Sequence, residues 1–442
     1  MTSLEKGRFY IFREDKMALQ TIKGTYDVYG ERLRQAEMVE TLFKHFMDLY
    51  GYTMMRTPII ENRDVFYDKS DTSDMVTKEM YSFSLNSKDY ITLRPEGTRG
   101  VVRSLIEHKL YSLEMPIKLS YIGSMFRHER PQKGRQREFT QLGVENFGEK
   151  NPLVDAEVIA MGYFYLKTLG VDDIVVYLNT LGDEASRSQY SKALESYFKS
   201  YEEDLCEDCK RRLSLNPLRI LDCKIDGAKD FVLNAPKMQD YLSEESKVYF
   251  EKVLKALDEL GVPYKVNDRL VRGLDYYTDT VFEVVSLNEA SGSQSTIFGG
   301  GRYDKLVEKM GGPKLSGIGF AIGEERLLIL MEALGLLDDE TRALDAYVIN
   351  MLEDDPYALK VAEILRHNGF MVKLNYYKRS MKSQFKSADR EKAKFVIIIA
   401  ESEKAKNEVG IKDQSTALQE SVKLEDLCAY LDEKFKGENE NA

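Results

Sequence analysis

The chain has 442 residues, 43% hydrophobic and 31% charged, with a formal net charge of −11 at pH 7. That length exceeds one hydrophobic core, so two or three domains are expected, and the composition is that of a globular protein rather than a disordered or fibrous one. No apolar run approaches the about 18 residues of a membrane helix, and the acidic balance leaves any nucleic-acid contact to local basic patches.

Residues 1–16, MTSLEKGRFYIFREDK, are charged throughout and lack an apolar targeting core, so a cytoplasmic location is expected. Between Gly30 and Tyr50, Leu33, Ala36, Val39, Leu42, Phe43, Phe46, Met47 and Tyr50 recur at the three-to-four spacing of an amphipathic helix, which Gly51 stops. RTPIIE follows as a strand that Pro58 confines to an edge or a bulge. ITLRPEGTRGVVRSLIEH, 91–108, reads as strand, turn and a helix beginning near Thr98.

The most informative stretch is FRHERPQKGRQREFTQLGVENF, 126–147, two strand-like runs around a basic, glycine-containing loop. Strand alternation places Arg137, Phe139, Gln141, Gly143 and Glu145 on one face of the returning run, and Glu138, Thr140, Leu142 and Val144 on the other. A guanidinium, a ring, an amide and a carboxylate make a poor core but a good floor for a polar ligand with a flat ring. Gly143 would leave room between them. Arg127 and Glu129 share a parity on the outgoing run, and the set suggests a nucleoside triphosphate. The competing reading is a salt-bridged hairpin on a solvated face.

Residues 181–260 are helical and highly charged, an apparent insertion. They hold Cys206, Cys209 and Cys223. A structural zinc site wants four Cys or His ligands; no histidine is near and Cys428 falls in another segment, so reduced cytosolic thiols are expected and no metal site is assigned. Strand-like sequence returns at Gly261. The GGG of 299–301 is either a tight turn or a close approach of backbone to ligand. In the tail, DAYVINM, MVKLNYY and KFVIII alternate with helical segments, which predicts a small α/β domain with a mostly parallel core. From Lys373 to Lys394 eight Lys or Arg (373, 378, 379, 382, 386, 390, 392, 394) accompany Tyr376 and Tyr377. Such a stretch holds phosphates and bases or is simply a solvated helix face.

The 126–147 stretch closely resembles the second signature motif of class II aminoacyl-tRNA synthetases in their histidyl form. LVRGLDYYTDTVFEV (270–284) and FGGGRYDKL (298–306) resemble that family's histidine-specific signatures, GIGFAIGEERLLILM (317–331) resembles the third class motif, and the 30–50 helix with the RTPIIE strand the first, which in the family forms the dimer interface. The resemblance implies an α+β catalytic domain built on an antiparallel sheet with flanking helices (17–180 and 261–336), a helical insertion (181–260) and a C-terminal α/β anticodon-binding domain (343–442), after an N-terminal extension or over-called start (1–16). It implies ATP-dependent ligation of L-histidine to tRNA(His) through a histidyl-adenylate, releasing pyrophosphate and AMP, in a homodimer. ATP would be a substrate with Mg2+, whose protein ligands the sequence leaves unknown.

By the same resemblance Arg127 takes the α-phosphate, Arg326 the γ-phosphate, Phe139 stacks under adenine, Glu129 contacts the adenine side, and Arg135 lies near the outer phosphates. Arg272 reaches the α-phosphate from the opposite side. Glu145 and Tyr277 hold the imidazole, with Tyr303 nearby and Tyr276 as the alternative in the pair; Glu96, Thr98 and Gln141 receive the α-amino group. Arg130, Gln132 and Lys133 would meet the tRNA acceptor stem. The rival is a non-catalytic regulatory paralogue of histidine biosynthesis, but such proteins usually lose the RGLDYY signature and the tail. Threonyl, prolyl and glycyl enzymes share the class motifs and lack the two histidine-specific segments.

Overall fold

The computed structural model describes residues 19–67, 73–86, 89–288, 295–337, 344–352, 355–377 and 379–439. The expected extension (1–16), Lys378 and residues 338–343 of the link lie outside these. The chain divides after Leu337 into two compact units.

In the first unit, α1 (Glu31–Leu49) buries Ala36, Val39, Phe43 and Met47, the stripe its sequence dictates, and ends before Gly51 at φ 73°. The strand expected through RTPIIE is reduced to its end: β1 (Thr53–Met54) precedes that stretch, and β2 (Ile60–Asn62) takes in only Ile60 and Glu61 of it. Pro58 has no N–H for a ladder, and the Arg94 guanidinium takes the Thr57 carbonyl at 2.8 Å. Next come β3 (Ser82–Ser84), β4 (Tyr90–Leu93), α2 (Thr98–Glu107), β5 (Ile117–Phe126), β6 (Glu138–Gly148) and α3 (Pro152–Thr168), whose first turn Asn151 caps. Then follow β7 (Ile174–Thr180), α4 (Glu184–Lys199), α5 (Glu207–Leu215), α6 (Asp230–Leu233), α7 (Glu244–Glu259), β8 (Tyr264–Val266), β9 (Thr278–Ser286), β10 (Thr296–Tyr303), α8 (Leu306–Lys309), β11 (Ser316–Gly323) and α9 (Glu324–Ala333).

Eight strands form one sheet in the order β1-β5-β6-β11-β10-β9-β7-β8, while β2-β4-β3 form a small one. From β5 to β7 every pairing is antiparallel; only the edges β1 and β8 run parallel to their neighbours. One face carries Leu142, Val144, Phe282, Phe298 and Phe320 into a core shared with α1, α3, α7 and α9. The other carries Tyr121, Phe147 and Tyr303 towards α2 and the insertion helices α4 and α5. Across the sheet, buried Arg302 pairs with buried Asp155 and so ties β10 to α3. Removing one partner of such a pair costs about 3–5 kcal/mol.

In the insertion, the fold places beside the three cysteines a carboxylate that the sequence reading did not consider. Asp226 brings its carboxylate to Cys206, Cys209 and Cys223, all four ligand atoms lying within 4.8 Å of one another. A search limited to Cys and His passes over a carboxylate.

The second unit contains β12 (Ala346–Asn350), α10 (Tyr357–His367), β13 (Val372–Leu374), α11 (Met381–Arg390), β14 (Phe395–Ile399), α12 (Glu401–Lys406), β15 (Glu408–Asp413), β16 (Gln419–Lys423) and α13 (Leu427–Asn439). Its sheet order is β13-β12-β14-β15-β16. The first three strands are parallel, but β15 and β16 add an antiparallel hairpin, so the core is mixed rather than mostly parallel. The hairpin escaped the sequence because QESVK has little apolar alternation; it is an edge strand, mostly exposed. Tyr376 and Tyr377 are exposed, with Arg379 5.8 Å over the Tyr377 ring.

Candidate active site

Thirteen side chains singled out above line one open cavity of about 190 Å³: Arg127, Arg272, Arg326, Glu129, Arg135, Phe139, Glu96, Thr98, Gln141, Glu145, Tyr276, Tyr277 and Tyr303. Arg130, Gln132 and Lys133 do not line it; they stand exposed on the loop between β5 and β6. Arg137 is also absent from it. The strand begins one residue later, at Glu138, so Arg137 escapes strand parity and its Nε donates to the Glu129 carbonyl at 3.3 Å.

The strand positions Phe139, Gln141 and Glu145 together by alternation, with Leu142 and Val144 buried behind them. The room that Gly143 leaves between these side chains is filled by protein. Tyr121 stands opposite Gly143 in the β5–β6 register, and a Cβ there would lie 2.2 Å from the Tyr121 ring. Tyr121 is thus a cavity residue that sequence reasoning missed; an aromatic facing a glycine across a hairpin was its only signal.

Glu145 is the most constrained group. It is buried, receives the Thr98 hydroxyl at 2.6 Å and the Tyr303 phenol, and lies 3.5 Å from the Tyr121 hydroxyl. Burial pushes its carboxyl up to about 8, against the hydrogen bonds from Thr98 and Tyr303. Gly319 of β11 makes this possible, because a Cβ there would fall 2.1 Å from Glu145 Oε2. Tyr303, rather than Tyr277, is the phenol bonded to Glu145, while Tyr276 packs on both other tyrosines at centroid distances of 4.8 and 5.7 Å. Glu96 accepts the backbone N–H groups of Thr98 and Arg99 at 2.7 and 2.8 Å, capping α2.

The cations are held by the protein's own acceptors. Arg127 Nε donates to the Pro95 carbonyl at 2.8 Å, and its guanidinium carbon lies 5.2 Å from the Phe139 centroid. Arg135 and Arg127 both approach Glu129, at 3.3 and 3.9 Å. Arg326 Nε donates to Gly134 at 2.9 Å, clasping the loop to α9. Burial lowers the Arg326 pKa, and neighbouring Arg135 adds to the effect. Arg272 pairs with Glu283 of β9, a partner the sequence reading did not name. Burial works against the Arg272 charge, yet Glu283 holds its pKa above the usual value. The GGG is not a turn but part of β10, and its Gly299 lines the cavity. At Gly299 a Cβ would lie 2.5 Å from the Arg272 guanidinium. Among the described residues three buried polar atoms of the cavity lining, Arg135 Nε, Gln141 Oε1 and Arg272 Nε, have no hydrogen-bond partner, and buried groups left so are costly unless a ligand completes them.

Comparison with known proteins shows the family. A family model described as histidyl-tRNA synthetase matches residues 24–327, and one described as an anticodon binding domain matches 345–434. A histidine--tRNA ligase of Staphylococcus aureus (strain JH9) is 44% identical over 412 residues, 92% of this chain and 98% of that protein. The crystal structure of apo S. aureus histidyl-tRNA synthetase superposes with a TM-score of 0.79 at 39% identity, covering 94% of this chain and 100% of that one. A Bacillus halodurans structure described as an ATP phosphoribosyltransferase regulatory subunit/histidyl-tRNA synthetase shares the fold, with a TM-score of 0.59 at 20% identity over 84% of this chain and 97% of that one. Among the described residues no helix is long and apolar enough to cross a membrane.

Proposed function

This chain belongs to the histidyl-tRNA synthetase family, and we propose from that premise how its cavity ligates histidine to tRNA. The observation that carries the reading is the convergence of Arg127, Arg272 and Arg326 on the cavity that also holds the Glu145–Tyr303 pair.

A histidine carboxylate oxygen attacks the α-phosphorus of ATP, the new O–P bond forms, and the bond to the bridging oxygen breaks as pyrophosphate leaves. The carboxylate is already ionised at neutral pH, so the step needs alignment and charge neutralisation rather than a base. Arginines serve this because they remain charged and grip phosphate oxygens in pairs. Arg127 and Arg272 hold the α-phosphate; Arg326 and Arg135 hold the outer phosphates, and Mg2+ enters as the counter-ion of ATP, part of the substrate. Phe139 stacks on adenine beside Glu129. The imidazole is held through Glu145 and a phenol, Tyr277 or Tyr303, and the α-amino group meets Gln141 Oε1, the acceptor without a partner, beside Glu96 and Thr98. In the second step the terminal ribose hydroxyl of tRNA attacks the histidyl carbonyl carbon and AMP leaves. Exposed Arg130, Gln132 and Lys133 meet the acceptor stem, and the Tyr376–Tyr377–Arg379 surface of the second unit meets tRNA bases and phosphates.

A regulatory role has no observation in its favour, since the Arg272 and tyrosine constellation and the second unit are both present. Histidine-dependent exchange of labelled pyrophosphate into ATP, without tRNA, tests the reading. Exchange with histidine alone supports it; exchange with another amino acid overturns the specificity, and no exchange overturns the ligase.

A further inference from the structure

Three thiols and one carboxylate converge inside the insertion, remote in role from the reaction above. Cys206 immediately precedes α5 and Cys209 lies in its first turn, while Cys223 and Asp226 sit on the turn that follows residues 217–220. The spacing is thus Cys-x-x-Cys followed by Cys-x-x-Asp. All four ligand atoms lie within 4.8 Å of one another, and the Cys206 and Cys223 sulfurs are 3.8 Å apart.

That separation discriminates between chemistries. A disulfide needs sulfurs about 2.05 Å apart, whereas tetrahedral thiolates bound about 2.3 Å from zinc sit about 3.8 Å from each other. Backbone geometry also fits a ligand knuckle: Asp226 N–H points to Cys223 Sγ at 3.5 Å and Gly227 N–H to the Cys223 carbonyl at 2.7 Å. No side chain is tolerated at Gly227, where a Cβ would meet that carbonyl at 2.5 Å. Asp226 accepts the Cys206 N–H at 2.9 Å through Oδ2 and pairs with Lys229 at 2.8 Å through Oδ1. A carboxylate has about four lone-pair positions, so both contacts leave room for an ion, and the Lys229 charge offsets part of the excess of four anions. Sulfur-rich tetrahedral donors select zinc over the hard cations.

We propose that Cys206, Cys209, Cys223 and Asp226 form a structural zinc site. Its closed ligand set leaves no position for catalysis. Its consequence for the reaction is indirect, through the segment it ties down. Arg219 Nη1 donates to the Arg272 carbonyl at 2.9 Å and Asn216 Nδ2 to Asp275 Oδ1 at 2.8 Å. The ion cross-links both flanks of that segment, and the segment supports the loop that presents Arg272.

Elemental analysis of the full chain, purified without chelator, tests this. The expected result is about one zinc per chain, lost in Cys209→Ser and Cys223→Ser but kept in Cys428→Ser. Cobalt exchanged into the wild-type chain should give thiolate-to-metal charge-transfer absorption, a readout independent of whether variants fold. Removing the zinc should lower the melting temperature and slow pyrophosphate exchange together, and added Zn2+ should restore both. Metal-free wild-type protein that is folded and fully active would overturn the proposal, as would a Cys206–Cys223 disulfide in the peptide map of unreduced protein.

Discussion

At the scale of single residues, the proposed role of Glu145 in specificity rests on its burial, which leaves its environment nearly dry. An imidazole offers two nitrogens, and a carboxyl and phenol held at fixed positions satisfy both only if the ring is the right one. Glu145→Gln should therefore raise the KM for histidine by about two orders of magnitude while leaving that for ATP within a few-fold, as expected when a pocket's polar partner is lost; equal losses would mean a merely structural carboxylate. The pH dependence has a definite sign. The folded-state carboxyl titrates at about 8, above its ordinary 4.5, so the folded chain holds the proton more tightly than the unfolded one. Its contribution to stability is present below 4.5 and is lost as pH rises through 8. Urea titrations of the ligand-free protein should then show wild type losing stability relative to Glu145→Gln over that window. A difference independent of pH contradicts the burial assigned to this group.

At the scale of elements, strands β10 and β11 build the cavity by omission. Gly299 makes room for Arg272 and Gly319 for Glu145. The two should respond differently to alanine. At Gly319 the new Cβ would also meet the Val144 carbonyl at 2.2 Å; backbone cannot yield, so Gly319→Ala should unfold or severely destabilise the domain. At Gly299 the obstacle is the far end of a flexible side chain, so Gly299→Ala should keep its melting temperature within a few degrees. It should still slow pyrophosphate exchange towards the level of Arg272→Ala, itself lower than wild type by about two decades, the usual size of losing a charge-stabilising group. Circular dichroism melts with exchange rates separate these outcomes, and an unfolded Gly299→Ala would contradict the account.

The same strands explain what the sequence made legible. Period-two alternation in β6 is visible in any apolar–polar string, so Phe139, Gln141 and Glu145 could be placed on one face. The strand's first residue could not, and Arg137 was lost with it. Partners brought by neighbouring strands, Tyr121 beside Gly143 and Glu283 beside Arg272, are set by register across the sheet, which local pattern does not encode. Asp226 was hidden for another reason, since a lone carboxylate in charged sequence looks like solvated surface until the fold places it among sulfurs.

At the scale of the whole molecule, each compact unit has its own core. That of the second joins Val348, Leu365, Ile397 and Leu427, so a chain ending at Leu337 should fold without it. Such a chain should retain histidine-dependent pyrophosphate exchange within about an order of magnitude and lose charging of tRNA far more severely, as expected when a second binding module is removed; parallel losses in both assays would contradict the division of labour. Association of two chains is proposed through the small β2-β4-β3 sheet, one face of which presents Ile60 and Phe83 to solvent, with exposed Leu85 just past β3. Contiguous apolar side chains on a sheet commonly mark a protein interface. Sedimentation should give a dimer that Ile60→Glu dissociates, whereas a wild-type monomer at micromolar concentration would remove this assignment.

The central claim is tested most directly by a crystal structure of the chain bound to a non-reactive histidyl-adenylate analogue. The account expects the Arg127 and Arg272 guanidinium groups within hydrogen-bond reach of the phosphoryl oxygens, and the imidazole bonded to Glu145 and a phenol in the same cavity. An analogue bound with Arg272 still turned to Glu283 and the imidazole away from Glu145 would contradict it.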